Sequence, residues 1–304
     1  MNMTRRQILK GSAALTAAGM LGIRPLSAQT ELIKKRIPKT GELVPVIGIG
    51  TNRYGVDAVE EQLAPLRDTL KRFRDLGGTV IDTAPSYRNS EAVLGGLIGE
   101  LGIRDDLFMA TKCNMQTKEQ AATQMEESVA RLKWDVIDLM QVHNLTGWEG
   151  QLPAMREWKE AGKLRYLGVT TSQVQQHEQL VKMMQEQELD FIQVNYSLGD
   201  RAAADKVLPL AVDKGLGVFI NVPFGRGRLF ESVGQRPLPD WAAEFDCKSW
   251  GQFFLKYIIS HPAVTVAIPG TRKPQHAEDN IGAAIGRLPD AALRRRMEDF
   301  IDSV

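Results

Sequence analysis

Cysteine is scarce in this sequence of 304 residues, which contains only Cys113 and Cys247. Two cysteines cannot form a disulfide framework. The fold must therefore rest on a buried apolar core, for which a hydrophobic content of 43% is ample. We expect two buried free thiols, with a single bridge between them as the alternative.

An excess of one charge is also missing, because 38 basic and 37 acidic residues give a net charge of +1. The body of the chain has no strongly basic block, so nucleic acid is not indicated as a partner. No stretch changes in composition as a linker between domains would, so one domain is expected. No metal site is predicted either.

The first 28 residues depart from this balance, because they contain basic residues and no acidic one. The basic residues are Arg5, Arg6, Lys10 and Arg24. A mildly apolar run extends from Ile8 to Ile23, and Leu26-Ser27-Ala28 offers small residues suited to cleavage. The run is short and weakly apolar for a membrane-spanning helix, so no membrane association of the mature chain is expected.

The segment Thr4-Arg5-Arg6-Gln7-Ile8-Leu9-Lys10 resembles a twin-arginine export signal, with Ile8 where Phe is commoner. The resemblance implies a signal peptide at residues 1–28 and a mature body at residues 29–304. It also implies the twin-arginine translocation machinery as a partner and a periplasmic location. Without the signal, the chain contains 34 basic and 37 acidic residues, so the mature body is mildly acidic. The alternatives are a disordered tail or a true start at Met20.

Short apolar runs alternate eight times with longer amphipathic stretches in the body of the chain. The strand-like runs are Val46–Ile49, Thr79–Ile81, Leu107–Ala110, Val136–Gln141, Leu164–Val169, Phe191–Val194, Gly217–Ile220 and Thr265–Ile268. This alternation predicts parallel strands joined by right-handed helical crossovers. Before them, Lys35–Pro38 and Leu43–Val46 flank a glycine turn and predict a β-hairpin.

A complete dinucleotide-binding fingerprint is absent, because Gly48-Ile49-Gly50-Thr51-Asn52-Arg53 lacks the third glycine. An open α/β sheet would be expected to carry it, so the eight units favour a closed barrel. The predicted fold is α/β, a single (β/α)8 TIM barrel with an N-terminal β-hairpin. Thr117 and Ser172 each precede a glutamine by three residues and predict capped helix starts.

Four polar side chains follow the ends of predicted strands, namely Asp82, Tyr87, Lys112 and His143. Because the carboxyl ends of barrel strands form one face, all four should meet at its mouth. Any one of them alone would more simply be structural, whereas the four in strand-end register indicate catalysis. A tyrosine with a lysine, a carboxylate and an imidazole can deliver a proton to a carbonyl oxygen.

The segment Ile81-Asp82-Thr83-Ala84-Pro85-Ser86-Tyr87-Arg88-Asn89-Ser90-Glu91 resembles the aldo-keto reductase family. Other segments that fit this family are Gly48-Ile49-Gly50-Thr51, Lys112, Val142-His143-Asn144 and Ile268-Pro269-Gly270-Thr271-Arg272. The resemblance extends from about Ile37 to Ala284. It implies an NADP-dependent monomeric enzyme that transfers hydride from NADPH to an aldehyde or a ketone.

The same resemblance implies a role for each of the four residues. Tyr87 would be the general acid, and Lys112 beside it would favour the phenolate that proton transfer leaves. Asp82 would keep Lys112 charged and oriented, since an unpaired buried ammonium is costly. His143 would orient the carbonyl and donate a hydrogen bond to its oxygen.

The predicted phosphate site of the cofactor lies after the last strand. Gly270, Thr271, Arg272 and Lys273 precede a helix that starts at a proline, and backbone N–H groups and two cations there suit a phosphate. Arg272 and Lys273 would favour NADPH over NADH. By resemblance, His276, Asp279 and Asn280 would lie near the adenosine end. A solvated charged loop is the alternative.

The remaining cofactor residues are predicted by resemblance alone, and they are Gly50, Thr51, Thr170, Thr171, Gln193 and Asn221. Gln193 would bond the nicotinamide carboxamide, and the two threonines replace a Ser-Asn pair. Asn221 stands where the family often has an aromatic residue that stacks on the nicotinamide. Asparagine cannot stack in this way, so cofactor affinity is the property that this departure affects.

The predicted substrate wall consists of Tyr54, Trp148 and Phe224, with Trp241 as a further candidate. The longest irregular segment is expected from Pro223 to Lys248, and a segment of that length is usually functional. After the last predicted helix only Leu288–Val304 remains, too little for the C-terminal specificity lid of many family members. An open pocket with broad carbonyl tolerance is therefore expected.

Two rival functions remain open at this stage. A non-catalytic nicotinamide-binding redox sensor would be consistent with Asn221, and a barrel lyase would use Lys112 to form a Schiff base. Export raises a further question, because the periplasm is not expected to hold a pool of free NADPH. A tightly retained cofactor, loaded before transport, is the hypothesis that resolves it.

Overall fold

The computed structural model describes residues 31–304, apart from the side chain of Asp106. The predicted signal at residues 1–28 and the start of the mature body therefore lie outside the described residues. Two antiparallel strands, β1 (Lys34–Arg36) and β2 (Leu43–Pro45), form the predicted hairpin.

Eight further strands form one parallel sheet in which each strand pairs with the next along the chain. They are β3 (Ile49–Gly50), β4 (Val80–Asp82), β5 (Phe108–Cys113), β6 (Ile137–Val142), β7 (Leu164–Thr170), β8 (Phe191–Asn195), β9 (Gly217–Asn221) and β10 (Val266–Ala267). Parallel bridges from Ile47 to Ala267 and from Gly50 to Gly270 join the first strand to the last. The sheet is thus closed, and the predicted (β/α)8 barrel is confirmed.

Helices follow the strands and pack around the barrel. They are α1 (Glu60–Asp75), α2 (Ser90–Leu101), α3 (Lys118–Leu132), α4 (Trp148–Glu160), α5 (His177–Glu186), α6 (Val207–Asp213), α7 (Arg228–Val233), α8 (Trp250–Ile259), α9 (Pro274–Gly282) and α10 (Ala291–Asp302). The predicted capping box at Thr117 is confirmed. The Thr117 hydroxyl accepts a hydrogen bond from the Gln120 amide, and the Gln120 side chain accepts one from the Thr117 amide.

Three local expectations were wrong. Ser172 caps no helix, because a short 3-10 turn at Val174–Gln176 intervenes and α5 begins only at His177. The segment Pro223–Lys248 is not irregular throughout, since it contains α7 and a 3-10 turn at Asp240–Phe245. The C-terminal segment from Leu288 also contains a helix, α10.

The interior of the barrel is a separate apolar cluster from the layer between strands and helices. Its members are Ile37, Val44, Val80, Phe108, Ala110, Leu139, Tyr166, Phe191, Phe219, Val266 and Ile268. The first residues of β4, β5 and β8 are among them, together with two hairpin residues. The hairpin therefore closes the amino-terminal end of the barrel and leaves the carboxyl end free for a site.

Both cysteines are buried and free, as expected. In residues 31–304, no helix is long and apolar enough to cross a membrane. The same part of the chain contains no group of three or more His, Cys, Asp and Glu side chains that could hold a metal ion.

Candidate active site

The four residues predicted to act together do lie together at the carboxyl end of the barrel. Asp82 is the last residue of β4, Lys112 lies near the end of β5, and His143 directly follows β6. Tyr87 lies in the loop between β4 and α2. Parallel pairing of β4 with β5 and of β5 with β6 aligns these strand ends at one mouth.

Asp82 and Lys112 form a buried ion pair, with 2.7 Å between Oδ2 and Nζ. The ammonium also donates to the carbonyl oxygen of Thr83 at 2.7 Å, and its side chain is only 1% exposed. Burial alone would lower the pKa of Lys112, but the charge of Asp82 and the interaction with Tyr87 raise it. A raised pKa keeps the amine protonated, which disfavours the Schiff-base lyase.

Two amide side chains hold the other oxygen of Asp82. Nε2 of Gln193 donates to Oδ1 at 3.0 Å, and Nε2 of Gln141 does so at 3.4 Å. Both glutamines are buried, and Oε1 of Gln141 has no hydrogen-bond partner in residues 31–304. Gln193, predicted as a cofactor ligand, is thus also a ligand of the Asp82 carboxylate. Gln141 was missed, since nothing in a buried strand distinguishes it from a structural glutamine.

Tyr87 and His143 face each other above this pair. Their ring centroids are 6.1 Å apart in an edge-on arrangement, and Nζ of Lys112 lies 5.4 Å from the centroid of the tyrosine ring. Burial, and then the positive charge of Lys112, lowers the pKa of His143 to about 4. The imidazole is therefore neutral at pH 7 and carries one N–H. The Ser86 hydroxyl lies 3.3 Å from Nδ1.

A second buried carboxylate supports the strand that carries Lys112. Glu91, near the start of α2, accepts hydrogen bonds from the hydroxyls of Thr111 at 2.6 Å and Ser128 at 3.2 Å. Arg131 donates to it at 2.8 Å. These contacts tie β5, α2 and α3 together directly behind Lys112.

A cavity of about 590 Å³ opens beside the four residues and has the size of a small-molecule site. Asp82, Tyr87 and His143 line it. Of the predicted cofactor residues, the structure places six on its wall, namely Gly50, Thr51, Thr170, Gln193, Asn221 and Gly270. A larger hollow of about 670 Å³ lies at the hairpin end, but its charged residues, Glu42 and Arg165, pair with each other.

The other predicted cofactor residues lie outside this cavity. Thr171 is buried, and its hydroxyl donates to Gln176 Oε1 at 2.5 Å. Asp279 accepts hydrogen bonds from Ser249 and Gln252, while Thr271 and Asn280 are buried. The exposed ones are Arg272, Lys273 and His276. Apart from Thr171, this second group lies in α9 and in the three residues that precede it.

The predicted substrate wall is only partly assembled at the cavity. Phe224 lines it, and its ring packs against Phe230 with centroids 5.0 Å apart. Tyr54 is completely buried, and Trp148 packs half-buried against the apolar layer, so neither lines the cavity. Trp241 packs against aromatic rings of α8 and α10, away from the cavity.

Several lining residues escaped the sequence interpretation. They are Asn52, Arg53, Asn144, Ser172, Val222, Pro223, Arg226, Gly227, Phe230 and Ile268. Most occupy the loops after β3, β6 and β9, and their position at strand ends was the available signal. Phe230 gave no such signal, because it reaches the wall from α7, a helix that was not predicted.

Asn221 ends β9 at the wall of the cavity. Its Nδ2 donates to the carbonyl oxygen of Thr171 at 2.9 Å, whereas its buried Oδ1 has no partner in the described part of the chain. An unpaired buried acceptor is costly, so this atom is suited to a ligand that brings a donor.

Comparison with known proteins finds matches for both the N-terminal segment and the body of the chain. A model of the aldo/keto reductase family matches residues 46–297, and a model of the twin-arginine translocation signal sequence matches residues 2–22. The aldo-keto reductase YhdN of Bacillus subtilis is 33% identical, with 80% of this chain and 86% of the relative covered. The L-galactose dehydrogenase of Arabidopsis thaliana is 26% identical, with 90% and 95% covered.

Among solved structures, an aldo-keto reductase from Klebsiella pneumoniae in complex with NADPH superposes with a TM-score of 0.75. It is 26% identical to this chain, and the match covers 89% of this chain and 96% of that one. The matched signal indicates export by the twin-arginine route. The body of the chain, by its matched sequence and its barrel, belongs to the aldo/keto reductase family and is an oxidoreductase.

Proposed function

We propose that this protein reduces an aldehyde or a ketone to the alcohol with NADPH, and that Tyr87 is the general acid. The observation that carries the proposal is the meeting of Asp82, Tyr87, Lys112 and His143 at the mouth of one barrel. Three of them line a single cavity, and Lys112 lies directly behind it. The related Klebsiella pneumoniae structure in complex with NADPH supports the choice of cofactor.

The residues present fit a nicotinamide nucleotide. The unpaired Oδ1 of Asn221 can accept from an amide, and Gln193 lines the same cavity. Gly50 and Gly270 lie where neighbouring segments of the cavity wall approach each other closely and leave little space for a larger side chain. A Cβ at Gly50 would come within 3.1 Å of the Ile268 carbonyl oxygen, and one at Gly270 equally close to Asn52 Oδ1. When bound there, NADPH supplies the hydride that reaches the carbonyl carbon.

The protein supplies the proton. The Tyr87 hydroxyl gives its proton to the carbonyl oxygen as negative charge develops there, and the phenolate that remains lies beside the Lys112 ammonium. Because Asp82 pairs with Lys112, the positive charge stays fixed at this place.

His143 acts as a neutral hydrogen-bond donor to the same oxygen. Its lowered pKa keeps it uncharged at pH 7, so one ring nitrogen can donate without adding a second positive charge beside Lys112. The imidazole orients the carbonyl toward Tyr87. The Phe224–Phe230 ring pair offers an apolar wall for the remainder of the substrate.

The experiment that tests this proposal compares NADPH oxidation by the purified protein and by Tyr87→Phe across aromatic and aliphatic aldehydes. Loss of the general acid should lower kcat by about 10²–10⁴-fold. Tyr166→Phe is the matched control, since its hydroxyl contacts Thr40 and Glu42 at the hairpin end. Cofactor binding without Tyr87-dependent turnover would support a redox sensor instead.

We also propose that the mature protein is a periplasmic monomer that retains its cofactor during export. Twin-arginine export carries folded proteins, so NADP(H) can be loaded before transport. Replacement of Arg5 and Arg6 by lysine should leave the protein inside the cell. Protein from the periplasmic fraction should release bound nicotinamide nucleotide on denaturation, and material free of nucleotide would contradict retention.

A further inference from the structure

A second cavity, of about 530 Å³, adjoins the catalytic one. Its basic wall consists of Arg53, Arg88 and Arg272, and Asp57 is its single acidic residue. Asn52 and Arg53 line both cavities, so the two are continuous at this edge. The space next to the carbonyl site is therefore strongly positive.

The three guanidinium groups of this basic wall are unpaired. Within residues 31–304 none of them takes part in a hydrogen bond or an ion pair, and all three are exposed. Elsewhere on the surface, guanidinium groups find carboxylates, as Arg67 does with Glu60 and Arg287 with Asp246. Three unpaired arginines around one hollow match the carboxylate or phosphate group of a ligand.

Backbone geometry ties this wall to the catalytic tyrosine. Arg88 directly follows Tyr87 and has a φ of 54°, a left-handed conformation that a long side chain adopts at a cost. The loop after β3 packs directly against the backbone of Tyr87, because a Cβ at Gly55 would lie 2.1 Å from the Tyr87 carbonyl oxygen. Arg53 and Arg88 are therefore brought together beside the group that protonates the substrate.

We propose that the natural substrate is an anionic carbonyl compound, whose carboxylate or phosphate group binds Arg53 and Arg88 while its carbonyl lies at Tyr87. The proposal rests on the proposed reductase function and adds the charge of the substrate to it. Arg88 adjoins the proton donor in sequence, and Arg53 lines the catalytic cavity itself. Because Arg53 lines both cavities, a group attached to the substrate can extend from the carbonyl site to this wall, and on that ground we assign the anion to the substrate rather than to a cofactor phosphate.

The test compares two aldehydes of equal shape, 4-formylbenzoate and 4-formylbenzamide, which differ in charge. In the wild-type protein kcat/KM should be about tenfold or more higher for the carboxylate. Arg88→Gln should remove most of this preference by raising KM for 4-formylbenzoate, and Arg88→Lys should restore part of it. The preference should also fall as salt is added, because exposed charges are screened.

Two further variants keep the test independent of how Arg88→Gln folds. Asp57→Asn removes the acidic residue of the wall and should increase kcat/KM for 4-formylbenzoate. Arg295→Gln makes the same charge change as Arg88→Gln, but on the exposed face of α10, and should leave the preference unchanged.

The outcomes separate this proposal from the reductase function. Reduction of both aldehydes with equal kcat/KM, unaffected by Arg88→Gln and Asp57→Asn, would overturn the anion site and leave the reductase standing. A raised KM for NADPH in Arg88→Gln, with the preference intact, would reassign the site to the cofactor. If neither aldehyde is reduced, the proposed function fails and this proposal fails with it.

Discussion

At the scale of single residues, the most consequential group is the ammonium of Lys112. It is almost fully buried, and its neighbours, Asp82 and the Thr83 carbonyl, are what keep it charged. Asp82 in turn accepts hydrogen bonds at both carboxylate oxygens. Lys112 donates to Oδ2, and the side chains of Gln193 and Gln141 donate to Oδ1. The charge beside Tyr87 is therefore held by a network that extends across four strands, β4, β5, β6 and β8.

This network predicts an asymmetry between two substitutions. Asp82→Asn strips Lys112 of its counter-charge and should cost about 3–5 kcal/mol of unfolding free energy. Lys112→Met should cost less, because the Asp82 carboxylate keeps two amide donors. Urea unfolding of both variants measures the difference. A greater loss in Lys112→Met would mean that the amide donors do not support the carboxylate.

The lowered pKa of His143 predicts a titration far from that of a free imidazole. The unfolded chain binds a proton near pH 6.5 and the folded site only near pH 4. Stability contributed by the neutral ring is thus complete above pH 6.5 and is lost as the pH falls toward 4. At pH 5 the loss should be about 2 kcal/mol.

Histidine NMR resonances, assigned with His143→Gln, give the midpoint directly. Unfolding in urea at pH 7 and pH 5 then shows whether the wild type loses more stability than the variant does. A midpoint near 6.5 would show that the ring is not desolvated, and the neutral donor proposed for catalysis would lose its basis.

At the scale of elements, α10 shows how a helix that was not predicted from the sequence is held to the barrel. Arg294 donates to the hydroxyls of Ser260 at 2.6 Å and Tyr196 at 2.8 Å, and to the Tyr257 carbonyl oxygen. Its guanidinium also lies 4.1 Å from the centre of the Tyr257 ring. One side chain thus joins α10 to α8 and to the end of β8.

Arg294→Met should therefore loosen α10 selectively. The lost hydrogen bonds predict a decrease of about 2–3 kcal/mol in the free energy of unfolding, with faster amide exchange along α10. Arg295→Met is the matched control, because Arg295 is the next residue and points to solvent. Equal exchange in the two variants would show that apolar packing alone holds the helix.

The elements also show where sequence reasoning succeeds. The capping box at Thr117 was predictable because both of its hydrogen bonds join residues three positions apart. The pattern after Ser172 is identical, yet Thr171 bonds the Gln173 amide and a 3-10 turn precedes α5. A tertiary contact favours the 3-10 turn over a capped helix start at Ser172, since the Gln176 side chain also donates to the Asn144 carbonyl oxygen. No local pattern contains that information.

At the scale of the whole molecule, the site was predictable to the extent that it follows from topology. Asp82, Lys112 and His143 could be predicted to lie side by side, because each is at the carboxyl end of a strand and parallel strands align these ends. The loop residues did not follow, because where Tyr54 or Trp148 points depends on packing between distant segments. The basic wall of Arg53, Arg88 and Arg272 was hidden for the same reason, as it joins three loops.

The bridges that join Ile47 to Ala267 and Gly50 to Gly270 also set an order of events during synthesis. The first strand of the barrel can find its second partner only after Gly270 has left the ribosome, when all eight strands of the sheet have been made. Contacts of such long range form late and slowly. A barrel of this kind matures after translation, which suits a transport route that waits for a finished fold.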